Sequence, residues 1–142
     1  MIQDDFFGAI QYDREYSCYC CELDCGGEKI TLSFIVDLEE TQINRVIDDA
    51  KKLCKNLYSW LEKAREYAAD ELLDLKNESW LKEDEEEMQP EEFKGRMRLE
   101  TISFYEDGDF DFWCNDGGLF WGNSIQVSGN LKRGFNCADI PG

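Results

Sequence analysis

The chain has 142 residues and a formal net charge of −17, with 42% hydrophobic and 13% aromatic residues. This length is typical of one domain, here residues 1–142, and the aromatic content favours a folded core. So negative a chain repels nucleic acid and anionic membrane surfaces and attracts basic proteins. We therefore expect no nucleic-acid or membrane binding, and a basic protein is the partner that the charge favours.

The sequence contains no histidine, which removes the commonest metal ligand and the Ser–His and Cys–His nucleophile pairs. It contains seven cysteines, an odd number. The first residues, MIQDDFFGAI, contain neither a basic stretch nor a long apolar run, so no secretion signal is predicted. Together these features predict reduced thiols and a cytoplasmic location.

Three short strands are predicted at the N-terminal end, because apolar and polar residues alternate there. They span residues 6–13, 15–23 and 28–37, after a disordered start. Gly26 and Gly27 are expected to turn the chain between the second and third strands, since glycine readily adopts positive φ. The segment should form an antiparallel meander.

Four of the cysteines, Cys18, Cys20, Cys21 and Cys25, lie within this meander. A closed zinc site usually places two cysteines two to four residues apart on a turn, so that both thiolates reach one ion. In a strand, Cys18 and Cys20 instead point to one face and Cys21 to the other. The spacing therefore indicates a hairpin rich in thiols, and we expect no metal or other cofactor.

The hydrophobic period then changes to three or four residues, over about 40–77. Apolar side chains from Ile43 to Leu75 form an amphipathic stripe that is expected to pack in the core. The stripe predicts one long helix or two helices joined near residues 56–59, where helix formers become fewer. A break there is favoured, because a domain of this size has little use for so long a straight helix.

An acidic connector follows over residues 77–90, with Trp80 and Leu81 expected to lie back against the core. Pro90 suits the first turn of a short helix, PEEFKGRM, because its missing N–H needs no partner there. Strands return at 98–107, 109–116 and 123–131, and the tail beyond them is expected to be irregular.

The register of the 98–107 and 109–116 pair can be deduced from its side-chain pattern. A three-residue loop, Glu106–Gly108, with Gly108 left-handed, places Phe104 opposite Phe110 and keeps the apolar side chains on one face. The other face then carries Ser103, Tyr105, Asp111 and Trp113. The predicted class is α+β, with antiparallel β-hairpins from both ends of the chain packed against a central long helix or helix pair.

Asp107, Asp109 and Asp111 have the opening spacing of a calcium-binding loop. An EF-hand also needs glycine at its sixth position and glutamate at its twelfth, where this chain has Phe112 and Gly118. The spacing therefore indicates a hairpin turn, and we predict no catalytic, cofactor-binding or metal-binding residues.

Aromatic side chains among acids are instead typical of a protein-recognition surface. The predicted partner-binding residues are Tyr105, Asp107, Asp109, Asp111, Trp113, Asp116, Phe120, Trp121 and Asn123. The alternative for the two tryptophans, Trp113 and Trp121, is ordinary burial beneath the helices, since large aromatic residues are more often buried than exposed.

The function favoured is a non-enzymatic acidic protein-binding module, such as an immunity-type inhibitor of a basic toxin. One alternative is a carboxylate- or metal-dependent enzyme, which a deep pocket joining several of Asp107, Asp109, Asp111, Asp116 and Asn123 would favour. The other is a structural or oligomerisation module.

Three segments, FFGAIQYDR, AADELLDLKNESWL and LETISFYEDGDFDFWCNDGGLFWGNSIQVSG, resemble a family of uncharacterised bacterial domains, domain of unknown function 2262. The resemblance covers nearly the whole chain and is most specific from Leu99 to Gly129. It implies a bacterial, cytoplasmic protein with an α+β fold, and it implies no activity.

Overall fold

The computed structural model describes residues 2–36, 40–81 and 85–141 of the chain. Within these residues the chain forms eight strands and three helices. In chain order they are β1 (Ile2–Asp4), β2 (Gly8–Asp13), β3 (Cys18–Cys25), β4 (Glu28–Phe34), α1 (Glu40–Cys54), α2 (Leu57–Ser79), α3 (Pro90–Arg96), β5 (Arg98–Phe104), β6 (Asp109–Asn115), β7 (Ile125–Asn130) and β8 (Gly134–Asp139).

All eight strands belong to one sheet, and each lies beside its neighbours in the chain. The strand pairs are antiparallel except for β4 and β5, which run parallel. The three helices occupy the connection between these two strands. The α+β class is therefore confirmed, whereas the finer expectation, hairpins packed against a central helix or helix pair, stays a prediction.

The two faces of the sheet differ in burial. On one face, Leu32 lies opposite Ile102, which lies opposite Phe112, and all three are fully buried in a core shared with helix side chains. Because side chains alternate along a strand, the positions between them point to the other surface, which we call the open face. The open face includes Ser33, Thr101, Ser103, Tyr105, Asp111, Trp113 and Ser128.

The register predicted for β5 and β6 is confirmed. Phe104 lies opposite Phe110, and the backbone N–H of Tyr105 donates to the carbonyl oxygen of Asp109 at 2.9 Å. A short 3₁₀ turn, Glu106–Gly108, joins the strands, and Gly108 has the expected left-handed φ of 82°. The three-residue loop keeps the apolar side chains of both strands on one face.

The amphipathic stripe forms two helices rather than one, because α1 ends at Cys54 and α2 begins at Leu57. The break therefore lies at the N-terminal edge of the interval predicted for it. The N–H of Asn56 donates to the carbonyl of Leu53 at 3.0 Å, three residues back. This tighter bond is typical of the last turn of a helix.

The end of the stripe differs from the prediction. Leu75, expected in the core, is 39% exposed, while its neighbour Lys76 is fully buried. The Lys76 ammonium donates to the carbonyl oxygen of Trp80 at 2.6 Å and to the carboxylate of Glu85 at 2.7 Å. The last carbonyl groups of a helix have no partner within it, and a cationic side chain can bind them. This capping contact, rather than the hydrophobic period, explains why Lys76 is buried.

Both ends of the chain were wrongly predicted to be irregular. Ile2 to Asp4 form β1, which pairs with β2, and the Asp4 carboxylate accepts the N–H groups of Phe6 and Phe7 at 2.8 and 2.9 Å. At the other end, β8 pairs with β7. A Cβ atom at Gly129 of β7 would lie 2.8 Å from the carbonyl oxygen of Gly134, so glycine permits this close approach.

Some of the predicted segments extend past the residues that the structure describes. Asp37, the last residue of the predicted third strand, lies outside the described residues, and so do residues 82–84 of the acidic connector. Among the described helices, none is long and apolar enough to cross a membrane.

Asp4 also binds the first helix, because its carboxylate lies 2.6 Å from the ammonium of Lys51 in α1. Burial by itself raises the pKa of Asp4. The hydrogen bond from Lys51 and those from the N–H groups of Phe7 and Phe6 outweigh that effect and hold the pKa below its ordinary value. The ionised form of Asp4 therefore stabilises the fold.

We predict that Asp4→Asn lowers the stability of the protein at pH 7, and that the difference from the parent disappears in acid. A depressed pKa contributes stability above the ordinary value of about 4, and that contribution is lost as the pH falls through the folded pKa. Urea unfolding followed by tryptophan fluorescence from pH 7 to pH 2 measures both curves. Asp5→Asn, at an exposed neighbouring residue, is the matched control and should change stability at pH 7 by less than about 0.5 kcal/mol. A gap between parent and Asp4→Asn that is independent of pH would contradict the role of the charge.

Candidate functional site

The predicted partner-binding residues lie in three places along the β5–β7 meander. The first place is the turn before β6, which contains Asp107, and the first residue of β6, Asp109. The second is the loop after β6, with Asp116, Phe120, Trp121 and Asn123. The third is the open face, with Tyr105, Asp111 and Trp113. Asp109 and Asp116 are separated by the length of β6, about 23 Å at the usual rise of a strand. Asp109 and Asp116 therefore do not share one pocket.

The turn before β6 is held by Asn130 of β7. Its side-chain N–H groups donate to the carbonyl oxygen of Asp107 at 3.0 Å and to the carboxylate of Asp109 at 2.8 Å. Asp107 itself adopts a left-handed φ of 62°. The amide of Asn130 thus fixes the shape of the hairpin, which accounts for the acids that resemble a calcium loop.

The loop after β6 is organised around one buried carboxylate. Asp116 is 2% exposed and accepts the backbone N–H groups of Gly118, Phe120 and Gly122 at 3.1, 2.8 and 2.9 Å. The side chain of Asn123 closes the loop by donating to the carbonyl oxygen of Phe120 at 2.8 Å. Three hydrogen bonds to a charged acceptor define the path of the loop backbone strongly.

This path separates two adjacent aromatic side chains. Phe120 is fully buried, and its ring contacts the rings of Trp80 and Phe93, with centroids 5.5 and 6.0 Å away. Trp121 is 57% exposed and rests edge-to-face on Trp80, with ring centroids 4.9 Å apart. Phe120 and Asp116 are therefore enclosed by the protein, whereas Trp121 is accessible to a partner.

The backbone of Trp121 is strained, because its φ is +58°. Left-handed φ values are rare for bulky residues, and such residues cost about 1–3 kcal/mol each. The hydrogen bonds from Phe120 and Gly122 to Asp116, on either side of Trp121, hold the chain in this conformation. We call Trp121 and the supporting ring of Trp80 the tryptophan platform.

An acidic segment follows Trp80 of the tryptophan platform along the chain. Lys76 binds both the carbonyl oxygen of Trp80 and the carboxylate of Glu85, so Glu85 is held close to Trp80. Glu86 and Glu87 follow and are exposed. Asn77 then fixes the chain by binding both backbone polar groups of Met88, at 2.8 and 3.2 Å. The acidic residues 85–87 are thereby kept near the end of α2.

On the open face, Asp111 is the centre of a second polar group. The hydroxyl of Tyr105 donates to one carboxylate oxygen of Asp111 at 2.9 Å, and the hydroxyl of Ser128 donates to the other at 2.5 Å. Burial, followed by the hydrogen bond to Asp111 and the charge of that carboxylate, raises the pKa of Tyr105 to about 12. Tyr105 therefore remains a neutral hydrogen-bond donor under physiological conditions.

The cysteines of β3 divide between the two faces, as predicted. Cys21 lies opposite Leu32 in the core, where Cys54 of α1 is also buried. Burial raises the pKa of Cys21 and that of Cys54 to about 12, so both thiols are protonated. Cys20 is paired with Ser33 and points to the open face. Within the described residues, no group of three or more cysteine, aspartate or glutamate side chains could hold a metal ion.

Several residues that build these sites carry little or no signal in the sequence. Trp80 was expected to lie against the core, but nothing in its spacing showed that it supports Trp121. Lys76 carries no sequence signal beyond its position in the last turn of a helix. The Asp116-Gly-Gly segment does carry a signal, since an aspartate before glycines often accepts local backbone N–H groups.

A family model described as "uncharacterized protein conserved in bacteria (DUF2262)" matches residues 4–140. The chain belongs to the DUF2262 family. The resemblance noted in the sequence is thus confirmed over nearly the whole chain, and the family description names no activity. Comparisons with curated proteins and with solved structures found no match.

We predict that Asp116→Ala destabilises the protein by about 2–4 kcal/mol, because it leaves three backbone N–H groups without their acceptor. Asp116→Asn should destabilise it less, since one side-chain oxygen remains. Urea unfolding measures both values, and Asp74→Ala, at an exposed position of α2, is the control and should change stability by less than about 0.5 kcal/mol. Equal effects of Asp116→Ala and Asp74→Ala would exclude the loop-organising role.

We also predict that Tyr105 ionises near pH 12. The difference between the absorbance titrations of the parent and Tyr105→Phe at 295 nm isolates this one phenol among the six tyrosines. The difference between Asp111→Asn and the double variant Asp111→Asn/Tyr105→Phe should titrate at lower pH, because the hydrogen bond from Tyr105 to a charged acceptor is lost. Since the folded pKa is raised, the stabilisation by neutral Tyr105 is complete below the ordinary value of about 10 and is lost as the pH rises through 12. A Tyr105 component centred near pH 10 would contradict the described contact.

Proposed function

We propose that this protein is a non-enzymatic acidic binding module, an immunity-type inhibitor that sequesters a basic toxin domain, with the tryptophan platform at the centre of its contact surface. One observation carries the proposal. Trp121 is exposed on a strained backbone that a buried carboxylate holds in place.

The strain supports a role in binding because stability alone does not favour it. A glycine at position 121 would adopt the left-handed backbone without strain, and an inward aromatic ring would add to the core. The chain instead exposes a large ring and buries the Asp116 carboxylate that binds the backbone on either side of it. Strained residues that the surrounding structure holds rigidly are concentrated at functional sites.

The charge around the platform supports a basic partner. The face of an indole ring attracts arginine and lysine side chains, and this attraction increases where carboxylates are close. Exposed Glu86 and Glu87 supply carboxylates in the segment that follows α2 and Trp80. The net charge of −17 extends the attraction to longer range and increases the rate of encounter with a cationic surface.

The immunity-type assignment follows from these properties together. Trp is among the residues that contribute most to protein–protein binding, and truncation of a central one weakens binding by 2 kcal/mol or more, about 30-fold. A small acidic protein can block a toxin that acts on nucleic acid by occupying the surface where phosphate would bind. This last step is an analogy with other inhibitors of nucleases, since fold alone does not assign function.

The proposal is tested with the full chain as bait in lysate of the source bacterium, followed by purification of the captured protein. Affinities of that protein for the parent chain, Trp121→Ala and Tyr58→Ala are then measured by calorimetry. Tyr58 is the matched control, because it is an aromatic residue that is 65% exposed on α2. We expect a basic partner, at least about 30-fold weaker binding for Trp121→Ala, and less than about twofold change for Tyr58→Ala.

Three results would overturn the proposal. They are a captured partner that is not basic, equal binding by the parent and Trp121→Ala, and a metal-dependent hydrolase activity of the pure protein with no partner in the lysate. The association rate adds a further check, since electrostatic attraction predicts that it falls as ionic strength rises.

A further inference from the structure

The open face contains a depression of about 630 Å³ that the proposed function does not use. Its volume lies in the range of small-molecule sites. It is lined by Tyr16, Ile35, Glu100, Thr101, Ser103, Tyr105, Trp113 and Ser124. The depression lies on the surface opposite the helix-covered core, and its residues come from β5, β6 and four connecting segments.

The floor of the depression consists of small hydroxyl side chains. Thr101 and Ser103 belong to β5, and Ser103 continues a row across the sheet from Ser33 through Asp111 to Ser128. The larger rings of Tyr16, Tyr105 and Trp113 line the same depression. The result is a concave surface bordered by aromatic groups.

Three aromatic residues border the floor. Trp113 lies directly across from Thr101, and Tyr105 follows β5 on the same face. Tyr16 is 73% exposed in the turn before β3, where the next residue, Ser17, has a left-handed φ of 53°. Aromatic rings grouped around a concave site are the usual means of binding a quaternary ammonium group.

Two carboxylates give the depression its charge. Glu100 lies at an irregularity in the pairing of β5 with β6, between Leu99 and Thr101, and such bulges redirect side chains. Asp111 lies beside the depression, next to Tyr105. No basic side chain is among the described residues that line it. The site is therefore complementary to a cation.

The hydrogen bonds of Asp111 distinguish between kinds of cation. Each of its oxygens already accepts a hydroxyl, one from Tyr105 and one from Ser128. Asp111 therefore supplies negative charge while part of its hydrogen-bonding capacity is occupied. A primary ammonium needs several acceptors to replace its water, whereas a quaternary ammonium has no N–H and needs none.

We infer that this depression binds a small quaternary ammonium compound, with Tyr16, Tyr105 and Trp113 around the cation and Asp111 and Glu100 supplying the opposite charge. This site is separate from the tryptophan platform and does not rest on the proposed function. The rings contact the methyl groups of the ligand, and the carboxylates stabilise its charge without a direct ion pair.

The test uses choline and its neutral carbon analogue, 3,3-dimethylbutan-1-ol, which has the same shape without the charge. Each is titrated into the full chain at constant ionic strength, and the tryptophan indole N–H signals are followed by NMR. We expect choline to shift the Trp113 signal with a dissociation constant on the order of 1 mM. The neutral analogue should bind at least about tenfold more weakly, because it lacks the cation–π and carboxylate attractions.

Four variants locate the binding. Tyr16→Ala changes an exposed turn residue and leaves the core intact, so it should fold and weaken choline binding severalfold. Trp113→Ala should weaken it about tenfold, and Asp111→Asn should weaken it while keeping an oxygen for Tyr105. Trp121→Ala is the control and should bind choline like the parent.

The inference is overturned by any of four results. The first is an unchanged Trp113 signal at 50-fold excess over the expected dissociation constant. The second is equal binding of choline and the neutral analogue, which would indicate an apolar depression only. The third is unchanged choline binding by Tyr16→Ala and Asp111→Asn. The fourth is binding of N-acetyl-lysine amide as strong as that of choline, which would indicate recognition of any ammonium group.

Discussion

The parallel pairing of β4 with β5 determines how the rest of the molecule is arranged. Thr31, Leu32, Ser33 and Phe34 lie beside Thr101, Ile102, Ser103 and Phe104, so two antiparallel meanders join into one sheet. Parallel neighbours need a long crossover, and here the crossover contains all three helices. Core side chains such as Leu32 and Ile102 face the helix side chains, and the opposite surface is the open face.

Two buried charged groups, rather than apolar packing alone, shape the surface around the tryptophan platform. The Asp116 carboxylate accepts hydrogen bonds from backbone N–H groups of its own loop. The buried Lys76 ammonium donates to the backbone carbonyl of Trp80, just past the end of its helix. Each charge is compensated by hydrogen bonds, which is the condition under which burial of a charge is tolerated. The position of Trp121 therefore depends on polar contacts that are specific in direction.

The sequence pattern was sufficient wherever side-chain alternation and turn chemistry act together. The register of Phe104 with Phe110 followed from keeping apolar residues on one face, and the helix break followed from residue preferences. Pattern was insufficient where distant residues decide the structure. β1 is held by Lys51 of another element, β8 depends on a close approach at Gly129, and the burial of Lys76 reflects capping. The adjacent residues Phe120 and Trp121 are both aromatic, yet Phe120 is buried and Trp121 is exposed. The left-handed backbone of Trp121 redirects the chain between them.

The parallel pairing of β4 with β5 also has a consequence for folding. Each meander is built from hairpins that are local in sequence, whereas pairing Thr31 with Thr101 closes a very long loop and is expected to come late. The aromatic depression takes Tyr16 and Ile35 from one meander and Thr101, Tyr105 and Trp113 from the other. It therefore exists only once the two halves have joined, so any molecule that occupies it selects the completed fold over partly folded forms.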